Sequence, residues 1–452
     1  MTARPAEAAV AAGPAAGAAQ APGERTGRLR AVAGAAGLAG VVAGTGVLAL
    51  TAATGPSGLV PASRRADPGW LAGPWRGPAQ ALGLHPLSTT AVPIVVLCML
   101  AAYAAALWGA GRLPLGLVAG AIVAANLVAM LAPPLGSADV FGYIDFARMG
   151  VLHGLSPYTH DAASAAGDPV VPFVRWREFS TPYGPGFTAL SYPLAWLSVP
   201  AALWTLKAVA AASALAVTGL CARTASRRDV DPRWAAAFVG LSPVMLIWAV
   251  GGAHNDLLIL IPVAAGILWF AGKRERASGA ALAVATGMKV SFGLLLPFLI
   301  AGSSRRREPL IGAVAGLAGI AVLGAILFGP SGLDFVSTLR VQQDLVATFS
   351  VPATVSRLLG FGSLPDGLRW LFAAGFAATT VWMLVWTWRG GDWIRGAGWS
   401  VLALLAATAW LLPWYVVWVL PLAALARDRR LAGAAFALSV FVVAIRIPGF
   451  GP

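Results

Sequence analysis

Apolar residues run along this chain in long stretches, mostly near 20 residues, separated by short polar clusters. About 20 residues of helix, rising 1.5 Å each, cross a hydrocarbon core. Full-length runs at 31–52, 91–110, 114–133, 200–221, 234–250, 257–271, 309–328, 369–388 and 431–448 are therefore predicted as membrane helices. The run 280–301 lies between Lys273-Arg274-Arg276 and Arg305-Arg306-Arg307. One crossing would place one basic cluster outside; a re-entrant hairpin, breaking near Gly287 to Ser291, keeps both inside. The run 397–426 has the same property, with a break expected at Pro413-Trp414-Tyr415. The prediction is an all-α polytopic membrane protein with about 11 to 13 membrane helices, hairpins included.

Charge sets the expected orientation. With the N-terminal tail, Arg112 and the connections at 222–233, 272–279, 302–308, 389–396 and 427–430 inside, the inner side holds 20 of the 32 Lys+Arg against 8 of the 18 acids. The outer side then holds 9 arginines against 10 acids. That asymmetry follows the positive-inside rule. Residues 1–30, rich in Ala, Gly and Pro with Arg25, Arg28 and Arg30 before the first run, read as a disordered cytoplasmic tail. Residues 31–452 form the membrane domain, and its long loops at 53–90, 134–199 and 329–368 fall outside. All four histidines (His85, His153, His160 and, between two spans, His254) fall on the outer side.

Composition agrees. The 452 residues are 58% hydrophobic and 11% charged, with mean hydropathy +0.76; soluble domains carry roughly 25% charged residues. A soluble enzyme, a disordered chain and a disulfide scaffold are excluded. The net charge of +14 reports topology rather than nucleic-acid binding. Cys98 and Cys221 both lie in apolar runs and read as small buried residues, without a disulfide or metal site.

Five constellations could carry chemistry. Ser137-Ala138-Asp139 opens a stretch after the third span in which Asp139, Gly142, Tyr143 and Phe146 share one helical face. Asp139 is either a catalytic acid or an N-terminal cap. Asp145 points elsewhere and suits an ion pair with Arg148 three residues on. Tyr158, Trp176, Arg177, Glu178 and Tyr183 lie in a loop rich in turn formers, where aromatics and polar groups suit a sugar; an interfacial aromatic belt is the other reading. His254-Asn255-Asp256 opens the run 257–271, whose free N–H groups make a phosphate seat or simply a capped helix. Lys289, one of only three lysines, falls at the tip of the first hairpin. An unpaired charge at membrane depth costs on the order of 2.5–3.5 kcal/mol, which a lipid phosphate would offset. Lys207 and Arg446, nearer span ends, read as snorkelling side chains. Finally, Trp410 to Trp418, with Trp414 and Tyr415 after Pro413, either wall a site or anchor the protein. Arg340, Gln342, Gln343, Asp344 and Arg357 could reach a phosphate or sugar. There is no Walker loop, Gly-Xaa-Ser-Xaa-Gly element or metal-ligand cluster.

Together these stretches resemble the actinobacterial membrane mannosyltransferases that use polyprenyl-phosphate-mannose, the α-1,6-mannosyltransferase family of lipomannan and lipoarabinomannan assembly in the cell envelope. The resemblance rests on Asp139 with Tyr143, Pro157-Tyr158, Trp176-Arg177 followed by Pro182-Tyr183-Gly184-Pro185, His254-Asn255-Asp256, Lys289 and Pro413-Trp414-Tyr415. It covers about 130–426. Residue 145, commonly small in that family, is Asp here, so it receives no catalytic role.

The resemblance implies a GT-C type glycosyltransferase in the bacterial plasma membrane, its N-terminus cytoplasmic and its active site extracytoplasmic. It implies an inverting transfer from polyprenyl-phosphate-mannose to the 6-hydroxyl of an α-mannan or lipid-linked mannoside. Asp139 would be the base. Lys289, Arg340, His254, Asn255 and Asp256 would hold the donor phosphate; Tyr143, Tyr158, Trp176, Glu178, Tyr183, Trp414 and Tyr415 would bind sugar or acceptor. No cofactor is implied, and a divalent ion is left open. The competing readings are another polyprenyl-phosphate-sugar transferase, α-1,2-mannosyl or arabinofuranosyl, and a lipid-linked sugar transporter or flippase.

Overall fold

The computed structural model describes residues 22–56, 58–60 and 69–447. Its helices, in order, are α1 (Pro22–Ala52), α2 (Arg76–Ala81), α3 (Ala91–Gly109), α4 (Leu115–Met130), α5 (Asp139–Leu152), α6 (Pro185–Ser191), α7 (Val199–Ala225), α8 (Pro232–Gly240), α9 (Asp256–Ala271), α10 (Glu275–Met288), α11 (Leu295–Ala301), α12 (Arg307–Phe328), α13 (Phe335–Gln343), α14 (Val351–Leu358), α15 (Asp366–Trp388), α16 (Trp393–Ala407), α17 (Leu420–Leu425) and α18 (Arg429–Ala444). The segments Glu24–Ala52, Ala91–Arg112, Val199–Ala225, Arg307–Leu333 and Asp366–Trp388 are long and apolar enough to cross a membrane. The protein is an all-α polytopic membrane protein.

Both anticipated hairpins break where the sequence places polar or imino groups. α10 stops at Lys289, whose backbone is extended at φ −150°, ψ 114°, and 3-10 turns over Val290–Leu294 lead into α11. The second run breaks after α16 and resumes in 3-10 turns over Pro413–Trp418. Proline has no N–H to donate, so Pro413 suits the start of a new turn.

Other elements depart from the expected pattern. The run 234–250 is two pieces. Leu241 ends α8, Pro243 follows in sequence, and a π-helical turn covers Met245–Val250. Proline's ring is incompatible with a continuous helix here. α1 starts at Pro22, so Arg25, Arg28 and Arg30 lie on helix; residues 1–21 of the expected tail lie outside the described residues. Cys98 is exposed on α3, and only Cys221 is buried. Lys207 does not snorkel: it is fully buried. Arg446 is half-buried, with its guanidinium 5.0 Å from the Phe349 ring centroid.

The long loops fold onto one another. Gly136 N–H donates to Leu59 O at 2.6 Å, Ser156 and Ser331 hydroxyls bond at 2.9 Å, and Ser180 and Thr338 hydroxyls at 2.6 Å. The three loops are thereby hydrogen-bonded to one another.

Candidate functional site

α5 begins at Asp139 itself. Its N–H donates to Ser137 Oγ at 3.1 Å, so Ser137 supplies the local hydrogen bond and the Asp139 carboxylate is free of that duty. The side chain is half-buried. Its Oδ1 accepts from Trp176 Nε1 at 3.2 Å, and the Trp176 ring meets Trp410 edge-on at 5.7 Å. One turn along α5, Tyr143 is buried. Its hydroxyl donates to Asn255 Oδ1 at 3.3 Å and lies 3.4 Å from His254 Nδ1. Asp139 and Tyr143 thus share a face, as a period of 3.6 requires.

The π turn delivers the second half. Ala253 has φ +54°, a left-handed residue that turns the chain before α9. His254 stacks on Trp414 with centroids 3.8 Å apart. Asn255 makes no capping hydrogen bond with its side chain; its oxygen is taken by Tyr143. Asp256 opens α9, and its Oδ1 accepts from both Lys289 Nζ and Trp418 Nε1 at 2.6 Å. The ammonium also lies 4.7 Å from the Trp418 ring centroid, 4.8 Å from that of Tyr415 and 5.8 Å from that of Tyr183. Aromatic faces stabilise a cation at such distances.

A close backbone approach places Lys289. Gly184 N–H donates to Met288 O at 3.1 Å, and a Cβ on Gly184 would sit 2.2 Å from Gly287 O. The Pro-Tyr-Gly-Pro loop therefore packs directly on the end of α10, which sets Tyr183 against both Lys289 and Tyr143, the two tyrosine rings 5.5 Å apart.

Asp139, Tyr143, Trp176, Tyr183, His254, Asn255, Asp256, Lys289, Trp414 and Tyr415 are thus brought together. Burial, then the carboxylates of Asp139 and Asp256, hold the Tyr183 phenol well above its ordinary pKa; both acids act on one side chain. Burial pushes the His254 imidazole down to about 4, so it is neutral near pH 7. His254 Nε2, Asn255 Nδ2 and Asp256 Oδ2 are buried without a hydrogen-bond partner among the described residues. Buried polar atoms are nearly always hydrogen-bonded, so these three are candidate contacts for a polar ligand.

The remaining predicted residues lie elsewhere. Tyr158 is buried, donates to Thr188 Oγ1 at 3.0 Å and packs edge-on against Phe328; it joins loop to helix. Arg340 and Glu178 are exposed and make no hydrogen bond or ion pair with the cluster. The side chains of Gln342 and Gln343 lie outside the described residues. Arg148 pairs with Asp168, its Nε 2.9 Å and 3.0 Å from the two oxygens, and not with Asp145. Asp168 also receives His153 Nε2 at 2.8 Å, which fixes it where Arg148 can reach it. Sequence reasoning missed Trp418 as a partner of Asp256; its spacing of four from Trp414 was the available signal. Among the described residues no group of three or more His, Cys, Asp or Glu side chains is arranged to hold a metal ion.

The all-α membrane scaffold that holds this polar and aromatic cluster is that of a glycosyltransferase, as the similarity of two stretches of the chain shows. Residues 36–304 match the family described as alpha-(1->6)-mannopyranosyltransferase, N-terminal domain, more than half the chain, and residues 346–449 match the MptB C-terminal domain. The chain belongs to the alpha-(1->6)-mannopyranosyltransferase family. It is 28% identical over 355 residues to alpha-(1->6)-mannopyranosyltransferase A of Mycobacterium tuberculosis, covering 71% of this chain and 67% of that protein. It is 33% identical over 192 residues to the protein of the same name from Corynebacterium glutamicum, covering 41% of this chain and 39% of the relative. No solved structure matches.

Proposed function

We propose that this protein transfers mannose from polyprenyl-phosphate-mannose to the 6-hydroxyl of an α-mannan acceptor, of the lipomannan or lipoarabinomannan backbone type, on the extracytoplasmic face of the membrane. The observation that carries this reading is the union of Asp139 and the Lys289–Asp256 pair in one cluster, bridged by Tyr143 and Asn255. Asp139 has one oxygen held by Trp176 and is half-exposed, so an acceptor hydroxyl can reach it. It takes the proton of the 6-hydroxyl as that oxygen bonds to C1 of the mannosyl group. The C1–O bond to phosphate breaks, its electrons leave with polyprenyl phosphate, and a β-linked donor yields an α-linked product in one inversion.

The departing phosphate gathers charge, and a fixed cation or backbone N–H groups stabilise it. Lys289 carries three N–H donors. One is engaged by Asp256, which leaves two for phosphate oxygens. The N-terminal end of α9, which starts at Asp256, adds the positive end of a helix dipole beside that lysine. The isoprenoid tail remains in the bilayer while the headgroup enters sideways. The N-terminus is cytoplasmic, in keeping with the basic inner connections.

The test uses membranes that contain the protein, radiolabelled polyprenyl-phosphate-mannose and an α-mannoside acceptor. Wild type forms labelled product, and Asp139→Asn inserts normally but loses turnover. Normal turnover in Asp139→Asn removes Asp139 as base. Movement of the lipid-linked sugar across the membrane with no glycosidic bond formed favours a transporter.

A further inference from the structure

Lys207 lies on α7 outside the cluster, is fully buried and has no carboxylate partner among the described residues. Its Nζ donates to three backbone carbonyls: Gly251 at 2.7 Å, Ala129 at 3.2 Å and Pro133 at 3.4 Å. Each belongs to a helical segment's C-terminal end or the residues just beyond it. Carbonyls there are short of regular i to i+4 intrahelical donors and carry the negative end of the dipole. Ala129 and Pro133 close α4 and lead into Asp139. Gly251 closes the π turn and leads into His254, Asn255 and Asp256. One ammonium therefore joins the two segments that carry the opposite sides of the site.

The segments touch directly as well. Leu135 N–H donates to the same Gly251 carbonyl at 3.0 Å. Gly136 has φ +74°, and a Cβ there would sit 2.4 Å from the Trp248 ring. A Cβ on Gly251 would meet Leu135 Cδ1, across the contact, at 2.7 Å. The two segments meet here without room for a side chain on either glycine, so a small slip of either segment carries its site residues with it.

We infer that Lys207 is a positioning residue that sets the spacing between Asp139 and the His254–Asp256 turn; this rests on the reading of those residues as base and donor side. Lys207 is buried outside the cluster, and its three hydrogen bonds all go to backbone carbonyls. A methionine fills similar space and removes all three bonds. Displacements of about 1 Å in a reacting pair cost on the order of 100-fold in rate.

The experiment compares wild type, Lys207→Met and Lys207→Gln in detergent-purified full-length protein, by mannosyl transfer, thermal unfolding and hydrogen exchange. The expected result for Lys207→Met is a fall in kcat of about 100-fold with the donor KM within about twofold. Thermal unfolding stays near wild type. Exchange rises in peptides spanning 134–139 and 251–256 and nowhere else. Lys207→Gln, which keeps two donors, falls between. Wild-type kcat in folded Lys207→Met, or unchanged exchange in those two peptides, overturns the inference. Failure of both variants to fold assigns Lys207 to general stability and overturns it too. An inactive wild type refutes the mannosyl-transfer reading alone, because the exchange result still decides the role of Lys207.

Discussion

Lys289 Nζ lies 2.6 Å from Asp256 Oδ1, and both side chains are largely withdrawn from solvent. The same oxygen receives Trp418 Nε1 at the same distance, so the carboxylate is held from two sides while the ammonium rests among aromatic faces. Neither charge would be tolerable alone. Removing one partner of a buried pair strands the other, at about 3–5 kcal/mol, whereas removing both is far milder. Lys289→Met is therefore expected to lower thermal stability by that order and to lose turnover. The double variant Lys289→Met/Asp256→Asn recovers most of the stability without the turnover. Unfolding curves and transfer assays on the three proteins check this; a double variant no more stable than the single one contradicts the pairing.

The indole N–H of Trp176 orients Asp139 at 3.2 Å. Trp176→Phe keeps much of the aromatic surface against Trp410 and deletes that single donor. A hydrogen bond to a charged group contributes about 1.5–3 kcal/mol, so kcat is expected to fall by roughly 10- to 100-fold with little change in acceptor KM. An equal loss in KM instead would make Trp176 a sugar platform rather than an orienting residue. The two outcomes separate in steady-state kinetics with varied acceptor.

Much of this site was legible in the sequence because polar residues in an apolar chain have few innocent explanations. Asp139, His254-Asn255-Asp256 and Lys289 stand out against their surroundings, and the i, i+4 spacing already placed Asp139 and Tyr143 on one face. Spacing could not reveal which partners the three-dimensional fold supplies. Arg148 was one helical turn from Asp145 yet pairs with Asp168, twenty residues away, because the loop brings that carboxylate into reach. Lys207 read as a snorkelling residue because hydropathy is blind to carbonyls, and three of them meet its ammonium. The split of 234–250 was signalled by Pro243 but hidden by the apolar residues on both sides.

The approach of Gly184 to Gly287 is a geometric requirement rather than a preference. A methyl group on Gly184 would sit 2.2 Å from a backbone oxygen, and neither backbone can move without shifting Tyr183 or Lys289. Gly184→Ala is expected to cost about 1–3 kcal/mol, as overpacking does, and to reduce transfer more than its loss of stability explains. Thermal unfolding and activity per folded molecule check this. Gly167→Ala, where a Cβ meets nothing within 4 Å, serves as the neutral control.

Asp145 gives the protein a pH dependence unrelated to catalysis. Its side chain is buried, Oδ2 has no hydrogen-bond partner, and burial, then the nearby Asp168 carboxylate, pushes its pKa up to about 7. The folded state thus binds a proton more tightly than the unfolded chain, whose aspartate titrates near 3.8. The stabilisation from that proton is complete below about pH 4 and is lost as pH rises through about 7. Asn at 145 presents a similar shape and has no proton to lose. Asp145→Asn is therefore expected to match wild type below about pH 4 and to unfold at higher temperature at pH 8, by about 2–4 °C for each kcal/mol recovered. Lower stability of Asp145→Asn at both pH values would mean that the carboxylate is paired in solution, and the neutral-acid account of this position would fail.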